Sequence, residues 1–358
     1  MPAQATNQLR VAVVGANGYG GLQTLRLLHG HPALQVTFLA GDRSAGKPWS
    51  RIAPFLAAAS DLLVERPDPD RIASRADLVV MSLPNGMAAR FTPALLDRGL
   101  RVLDLSADYR FTDLDAWRAI YGPIVHNDRN DGALCREAVY GLPECCADAI
   151  ATARLVGCPG CYPTASLLAL MPLLQKGLIE TDGIIIDAKS GTSGGGREAK
   201  VNLLLAEADE AVMPYGVTGH RHTGEIELQA SRMAGQTIQL QFTPHLLPMV
   251  RGLLATVYGR LRDPGLTAED LTTVYEAAYR SAPCVTVLPS GTYPSTKWVR
   301  QTNKAMLSVA VDSRTGQVIV LSAIDNLIKG QAGQAVQCMN LMAGLPQDMG
   351  LPLLPFYP

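Results

Sequence analysis

Residues 9–21 read LRVAVVGANGYGG. The β-branched run Leu9 to Gly15, closed by glycine, has the look of a buried parallel strand. After the glycine-rich turn, Tyr19 to Leu28 carries apolar residues at helical spacing. Glycines at such a turn permit a tight reversal and let backbone N–H groups approach a pyrophosphate at the helix N-terminus. The spacing Gly15-x-x-Gly18-x-x-Gly21 departs from G-x-G-x-x-G. The strand–turn–helix context therefore carries the dinucleotide reading, with a plain glycine-rich turn as the alternative. Gly15, Asn17, Gly18, Tyr19 and Gly20 are the candidate contacts. Working outward, strands are predicted over Leu34 to Ala40, Asp77 to Leu83, Arg101 to Ser106 and Ala153 to Gly157, with a helix over Met87 to Leu96. Strands alternating with helices imply right-handed βαβ units and an open, doubly wound parallel sheet of Rossmann type.

The texture changes after this. Strand-like runs follow at Gly183 to Lys189, twice between Gln236 and Leu261, and at Cys284 to Leu288, Lys304 to Val311 and Gln317 to Ser322. One helix, Thr267 to Arg280, interrupts them. This predicts an α+β domain with a mixed or antiparallel sheet covered on one face by helices. Asn326 to Ala343 reads as a final amphipathic helix. The expected division is 1–158 and 159–325, with 326–358 returning to the first domain.

Composition agrees with two domains: 358 residues exceed twice the ~150-residue yardstick. Hydrophobic residues at 47% and charged residues at 18% exclude a disordered chain. Lys plus Arg number 31 against 32 acidic residues, so there is no basic field for nucleic acid. No apolar run reaches the ~18 residues of a membrane helix, and Met1 to Arg10 lacks the plan of a secretory signal. Seven cysteines, an odd number in a long chain, do not make a disulfide framework. A soluble, cytoplasmic protein with thiols free for chemistry is expected.

After the second strand, Gly41 to Lys47 should choose the cofactor. Arg43 and Ser44, with Lys47 nearby, favour a 2′-phosphate and hence NADP; Asp42 is the counter-argument. Next, residues 157–164 read GCPGCYPT and lead into an apolar helical run, which puts Cys161 at a helix start. The helix dipole there favours a thiolate. Its proton-transfer partner should lie in residues 219–225, GHRHTGE. Other readings stay open: Cys158 and Cys161 as a redox pair, the two with His220 and His222 as a zinc site, or a buried structural thiol. The H-x-H half is tighter than zinc spacing usually allows, and no metal is predicted. The loop from Lys189 to Arg197 could cradle a phosphate or be a flexible surface loop; it is not a nucleotide-hydrolysing P-loop.

Taken together, the chain resembles the N-acetyl-γ-glutamyl-phosphate reductases, within the aspartate-semialdehyde dehydrogenase superfamily. The likeness rests on PGCYPT at 159–164, LSADYR at 105–110, KSG at 189–191, SGGGR at 193–197, HRH at 220–222 and NLIKGQAGQA at 326–335. It spans essentially the whole length and displaces the zinc, redox and structural readings. It implies a glyceraldehyde-3-phosphate dehydrogenase-like architecture and NADP-dependent reduction of a small acyl phosphate in arginine biosynthesis. Cys161 is then the nucleophile and His220 the acid/base. Pro84 and Asn326 would join the cofactor contacts. Arg110, Ser190, Gly191, Arg197 and Glu225 would bind substrate, the two arginines because a guanidinium grips carboxylate or phosphate bidentately. A homodimer or homotetramer is implied. Cys158 and Gly224 stand where members often carry Asn and Pro. Competing functions are a reductase of carrier-bound aminoadipyl phosphate in lysine biosynthesis, aspartate-semialdehyde dehydrogenase, and a non-catalytic nicotinamide-binding redox sensor.

Overall fold

A computed structural model describes residues 8–125 and 128–357; the N-terminal reading at Met1 to Asn7, and Pro358, lie outside them. The chain divides into two compact units, Met1–Pro159 with Gln331–Leu351, and Gly160–Gly330 with Pro352–Pro358.

The first unit holds a seven-stranded sheet of β1 (Leu9–Val14), β2 (Leu34–Ala40), β3 (Val64–Glu65), β4 (Leu78–Met81), β5 (Arg101–Asp104), β6 (Val139–Tyr140) and β7 (Leu155–Gly157). Its order is β3-β2-β1-β4-β5-β7-β6, and its neighbours pair in parallel. β1 and β4 hydrogen-bond directly although two strands separate them in sequence. The strand order reverses between them, which opens a crevice beyond their carboxyl ends. The two-residue strands β3 and β6 were not anticipated; a pair of residues carries no periodicity. The helix expected over Met87 to Leu96 is split into a 3₁₀ turn, Ala88–Arg90, and a helix, Thr92–Asp97. Pro93 tolerates only the first turn of a helix, so the helix restarts there.

The C-terminal stretch departs from its expectation in two ways. It opens as a π turn, Ile328–Ala332, before the helix Gly333–Met342. That helix is not amphipathic, because Gln334, Gln337 and Asn340 are fully buried. Each donates inside the first unit: Gln334 Nε2 to Gly141 O at 2.9 Å, Gln337 Nε2 to Glu144 Oε1 at 3.1 Å, and Asn340 Nδ2 to Met349 O at 2.9 Å. Polar residues that look like a solvent face are buried groups, each hydrogen-bonded at least once inside the unit. The returning segment is also narrower than 326–358. Asn326 lies in the second unit, and the Asn303 N–H donates to Pro352 O at 2.8 Å to hold the end of the chain there.

The second unit holds β8 (Ile185–Gly191), β9 (Met213–Pro214), β10 (Gln241–Leu247), β11 (Leu253–Arg260), β12 (Val285–Val287), β13 (Ala305–Asp312) and β14 (Gln317–Ile324), in the order β12-β13-β14-β11-β8-β10-β9. The sheet is mixed: β8 runs parallel to β10 and β12 to β13, and the other pairs are antiparallel. The helix Cys161–Gln175 is buried from Tyr162 to Leu174 and packs on β11 and β14. Pro172 lies inside it and has no N–H for the carbonyl of Leu168. Tyr279 supplies the missing donor, its hydroxyl 2.5 Å from Leu168 O, and the Tyr275 hydroxyl bonds Ala169 O beside it. A proline that would break an exposed helix is thus accommodated.

Candidate active site

Cys161 is the first residue of its helix, with Gly160 as N-cap in an extended conformation. Its side chain is partly exposed, whereas Cys158 is fully buried. The helix thus starts where expected, which puts the thiol in the first turn, where the dipole acts most strongly on it. Gly330 makes room for Cys161, and Gly160 for the His222 ring beside it. A Cβ on Gly330 would lie 2.7 Å from the Cys161 Cβ, and one on Gly160 would lie 2.3 Å from His222 Nε2.

A second helix, His222–Ala234, meets the first at this point. Glu225, fully buried in its first turn, accepts the Gly160 N–H through Oε1 at 3.0 Å. Glu225, expected to bind substrate, is buried and holds the N-cap of the helix that begins at Cys161. It also occupies one amide at this helix end, which is then not offered to an oxyanion. Cys161 and Tyr162 carry the remaining first-turn N–H groups, since Pro163 has none.

His220 lies in an aromatic cage. Its ring centroid is 5.7 Å from Tyr162, 5.4 Å from Tyr215, 5.3 Å from Phe242 and 4.9 Å from His222. Burial, and then the positive charge of Arg221, push its pKa down to about 4, so the ring is neutral at pH 7. The His222 N–H donates to His220 Nδ1 at 3.1 Å, which puts the ring proton on Nε2. The Tyr215 hydroxyl donates to that of Tyr162 at 3.1 Å, and Tyr162 donates to His245 O at 3.3 Å. Burial pushes the Tyr215 hydroxyl up to about 12. Tyr162, Tyr215 and Phe242 were not singled out from the sequence. Three aromatic residues far apart in the chain give no local signal, and only the packing of the helix Cys161–Gln175 beside β10 and the loop after β9 brings them together.

The other candidates of this unit line a braced loop. The Gly191 N–H donates to Gly252 O at 2.9 Å, and a Cβ there would meet Val250 O at 2.7 Å. Asn326 is buried; its Oδ1 accepts the Gly252 N–H at 2.9 Å and its Nδ2 donates to Ser193 Oγ at 2.9 Å. Expected on the cofactor, Asn326 spends its amide bracing this loop. Ser190 is buried, and Arg197 is exposed at the loop's end. Among the described residues no group of three or more His, Cys, Asp or Glu is placed to hold a metal ion.

In the first unit, the residues fit a dinucleotide. Gly15 has φ +84°, and a Cβ on it would lie 2.2 Å from Ser82 O; one on Gly20 would meet Ser82 Oγ at 2.6 Å and one on Gly21 would meet Gly15 O at 2.5 Å. The turn thus admits only backbone. Gly18 caps the helix Tyr19–Leu28 and has no side chain to occupy the first-turn amides, which suits an anion. Asn17 Nδ2 bonds Ser44 Oγ, so the buried Ser44 is tied to the glycine turn, while Arg43 beside it is exposed. Pro84 is exposed in the loop after β4. Arg110, expected on substrate, is buried, with Nε donating to Cys158 O at 2.7 Å and one terminal nitrogen to Leu105 O at 3.0 Å. It fastens the loop after β5 to the approach to Cys161.

Residues 10–153 match the family model described as semialdehyde dehydrogenase, NAD binding domain, and residues 161–326 the one described as semialdehyde dehydrogenase, dimerisation domain. N-acetyl-γ-glutamyl-phosphate reductase of Prochlorococcus marinus (strain MIT 9313) is 65% identical over 350 residues, 98% of each chain. The chain belongs to the N-acetyl-γ-glutamyl-phosphate reductase family. The reductase of that name from Synechococcus elongatus is 58% identical over 99% of each chain. At the level of fold, aspartate semialdehyde dehydrogenase II of Vibrio cholerae superposes with a TM-score of 0.72 at 18% identity, covering 94% of this chain and 99% of its own. The Candida albicans aspartate semialdehyde dehydrogenase, solved with NADP, gives 0.71 at 17% identity, covering 96% and 100%. The doubly wound sheet and the mixed second sheet are thus those of the semialdehyde dehydrogenases. No helix among the described residues is long and apolar enough to cross a membrane.

Proposed function

We propose that the protein reduces N-acetyl-L-glutamyl 5-phosphate to N-acetyl-L-glutamate 5-semialdehyde and phosphate with NADPH, through a thioester on Cys161, in arginine biosynthesis. The observation that carries the reading is Cys161 at the first turn of a buried helix, in the unit that also holds the caged His220. The family relationship gives the substrate.

The Cys161 thiol loses its proton to solvent, helped by the helix dipole. The thiolate attacks the acyl carbon, and phosphate leaves with the electron pair of the broken C–O bond and takes up a proton from solvent. The thioester that forms is a better hydride acceptor than a carboxylate. NADPH supplies the hydride when bound, and Gly15, Gly18, Gly20 and Arg43 are the residues that would hold it. The alkoxide so produced is met by a donor: neutral His220 offers Nε2–H, and the Cys161 and Tyr162 amides offer backbone N–H groups. Collapse of the hemithioacetal breaks the C–S bond and returns the thiolate. In this cycle His220 acts by hydrogen-bond donation, because its Nδ1 lone pair already faces the His222 N–H.

Cofactor selection for NADP is attributed to Arg43, and self-association to the second unit. The exposed Val201, Leu204 and Leu205 of that unit support an oligomer, as does its match to a dimerisation domain. The deciding assay is phosphate-dependent reduction of NADP by N-acetylglutamate semialdehyde, set beside aspartate semialdehyde. Preference for the latter, or no turnover with either, overturns the reading. A covalent acyl adduct trapped without NADPH should map to Cys161 and be absent from Cys161→Ser; an adduct on Cys158 refutes the assignment of nucleophile.

A further inference from the structure

Adjacent residues on an α-helix do not face each other. Cys145 and Cys146, in the helix Pro143–Thr152, nevertheless bring their sulfurs to 2.9 Å. The cause is a break in the helix: Cys146 has φ −131° and ψ 22°, outside the helical region. Cys145 is exposed and Cys146 half-buried, so the pair can be reached from solvent. The hydrogen bond between the two thiols raises the Cys145 pKa.

The pair is wired to the approach to Cys161 within the first unit. The Leu142 carbonyl accepts the N–H groups of both cysteines at 3.0 Å and the Cys145 thiol at 3.4 Å. Its neighbour Gly141 donates N–H to Gly157 O at 2.8 Å, and a Cβ on Gly141 would lie 3.1 Å from the Cys158 Cα. A change in the first turn of this helix therefore reaches residues 157–158, three positions from the nucleophile.

We propose that Cys145 and Cys146 form a reversible thiol-modification site, oxidised by a small-molecule or protein disulfide to a disulfide between neighbouring residues. One of the two sulfurs, once deprotonated, attacks the oxidant's S–S bond and releases a thiol, a step that the raised Cys145 pKa makes slow at neutral pH and faster as pH rises. The second sulfur then displaces the other thiol from the mixed disulfide. The pair loses two protons and two electrons, and the oxidant becomes two thiols. Consecutive Cα atoms are ~3.8 Å apart, below the ~4.4 Å at which relaxed disulfides begin, so the bond is strained and easily reduced. That suits a switch rather than a staple. Its effect on turnover rests on the function proposed above, whereas the thiol chemistry does not.

The test uses full-length Cys161→Ser, in which the active-site thiol is silent, exposed to oxidised glutathione. Expected is a peptide spanning 145–146 that is lighter by two hydrogens, bears no glutathione, and regains two alkylatable thiols with dithiothreitol. A persistent glutathione adduct at one of the two cysteines, or two thiols still alkylatable, overturns the proposal. In a second arm, oxidised chain with native Cys161 should lose turnover severalfold more than Cys145→Ser/Cys146→Ser treated alike. Equal losses overturn the regulatory part. If the untreated enzyme has no reductase activity, the functional reading fails, and the mass measurement still decides the thiol chemistry.

Discussion

The backbone N–H of Gly160 points at the Oε1 atom of Glu225, 3.0 Å away and sealed from solvent. One residue caps the helix that begins with Cys161, and the other lies in the first turn of the helix that follows His220. The bond sets where Cys161 stands relative to the residues around it.

Removing the acceptor should show this. Glu225→Ala leaves a buried amide unpaired, a loss of about 1–3 kcal/mol. Glu225→Gln keeps an oxygen in place. The alanine variant should lower kcat strongly with little change in the dissociation constant for NADPH, and the glutamine variant should recover most of kcat. Steady-state kinetics with cofactor titration distinguish this from general unfolding. Equal kcat in both variants would count against a positioning role.

His220 should titrate far below an ordinary histidine. Its pKa is pushed down to about 4, against ~6.5 in an unfolded chain. The unfolded chain therefore binds the proton more readily between these values. The contribution to stability is intact at pH 7 and is lost as pH falls through that window. Arg221→Ala removes a repelling charge and should move the midpoint up. NMR titration of the His220 ring measures both; a midpoint near 6.5 in the unmodified protein contradicts the caged, neutral ring.

Gly15→Ala combines a left-handed backbone, φ +84°, with a Cβ 2.2 Å from Ser82 O. Strain of this kind costs on the order of 1–3 kcal/mol. Thermal unfolding should show a lower midpoint, and the rise on adding NADPH should shrink, because the turn can no longer approach a pyrophosphate. An undiminished NADPH-induced rise would mean that this turn does not bind the cofactor.

Arg43→Ala should weaken NADPH selectively. A hydrogen bond to a charged group is worth about 1.5–3 kcal/mol, roughly ten- to a hundredfold in affinity. NADH binding should be unchanged in the same fluorescence titration. Parallel loss of both would move the 2′-phosphate contact elsewhere.

How legible all this was depends on how local each signal is. The helix Tyr19–Leu28 and strand β2 were readable to the residue, because apolar period and punctuation by Gly15 and His31–Pro32 coincide there. The helix start at Cys161 was legible through a short contiguous motif. Asn326 and Glu225 were found as residues, but their bonds to Gly252, Ser193 and Gly160 were not, since a buried amide or carboxylate declares its partners only through chain distant in sequence. The cage of Tyr162, Tyr215 and Phe242 left no trace in spacing. Gln334, Gln337 and Asn340 misled outright: side chains that imitate a solvated stripe are hydrogen-bonded in the interior.

The first unit is sewn from two pieces of chain, Met1–Pro159 and Gln331–Leu351, with the whole of residues 160–330 between them. During synthesis, at ~5–20 residues per second, the last helix leaves the ribosome on the order of 10–30 s after β7. For that interval the helices Tyr19–Leu28 and Pro143–Thr152 lack the buried Gly333–Met342 helix that packs on them. The nascent N-terminal portion must wait with an apolar face uncovered, and a stop codon anywhere before Gly333 leaves it uncovered for good.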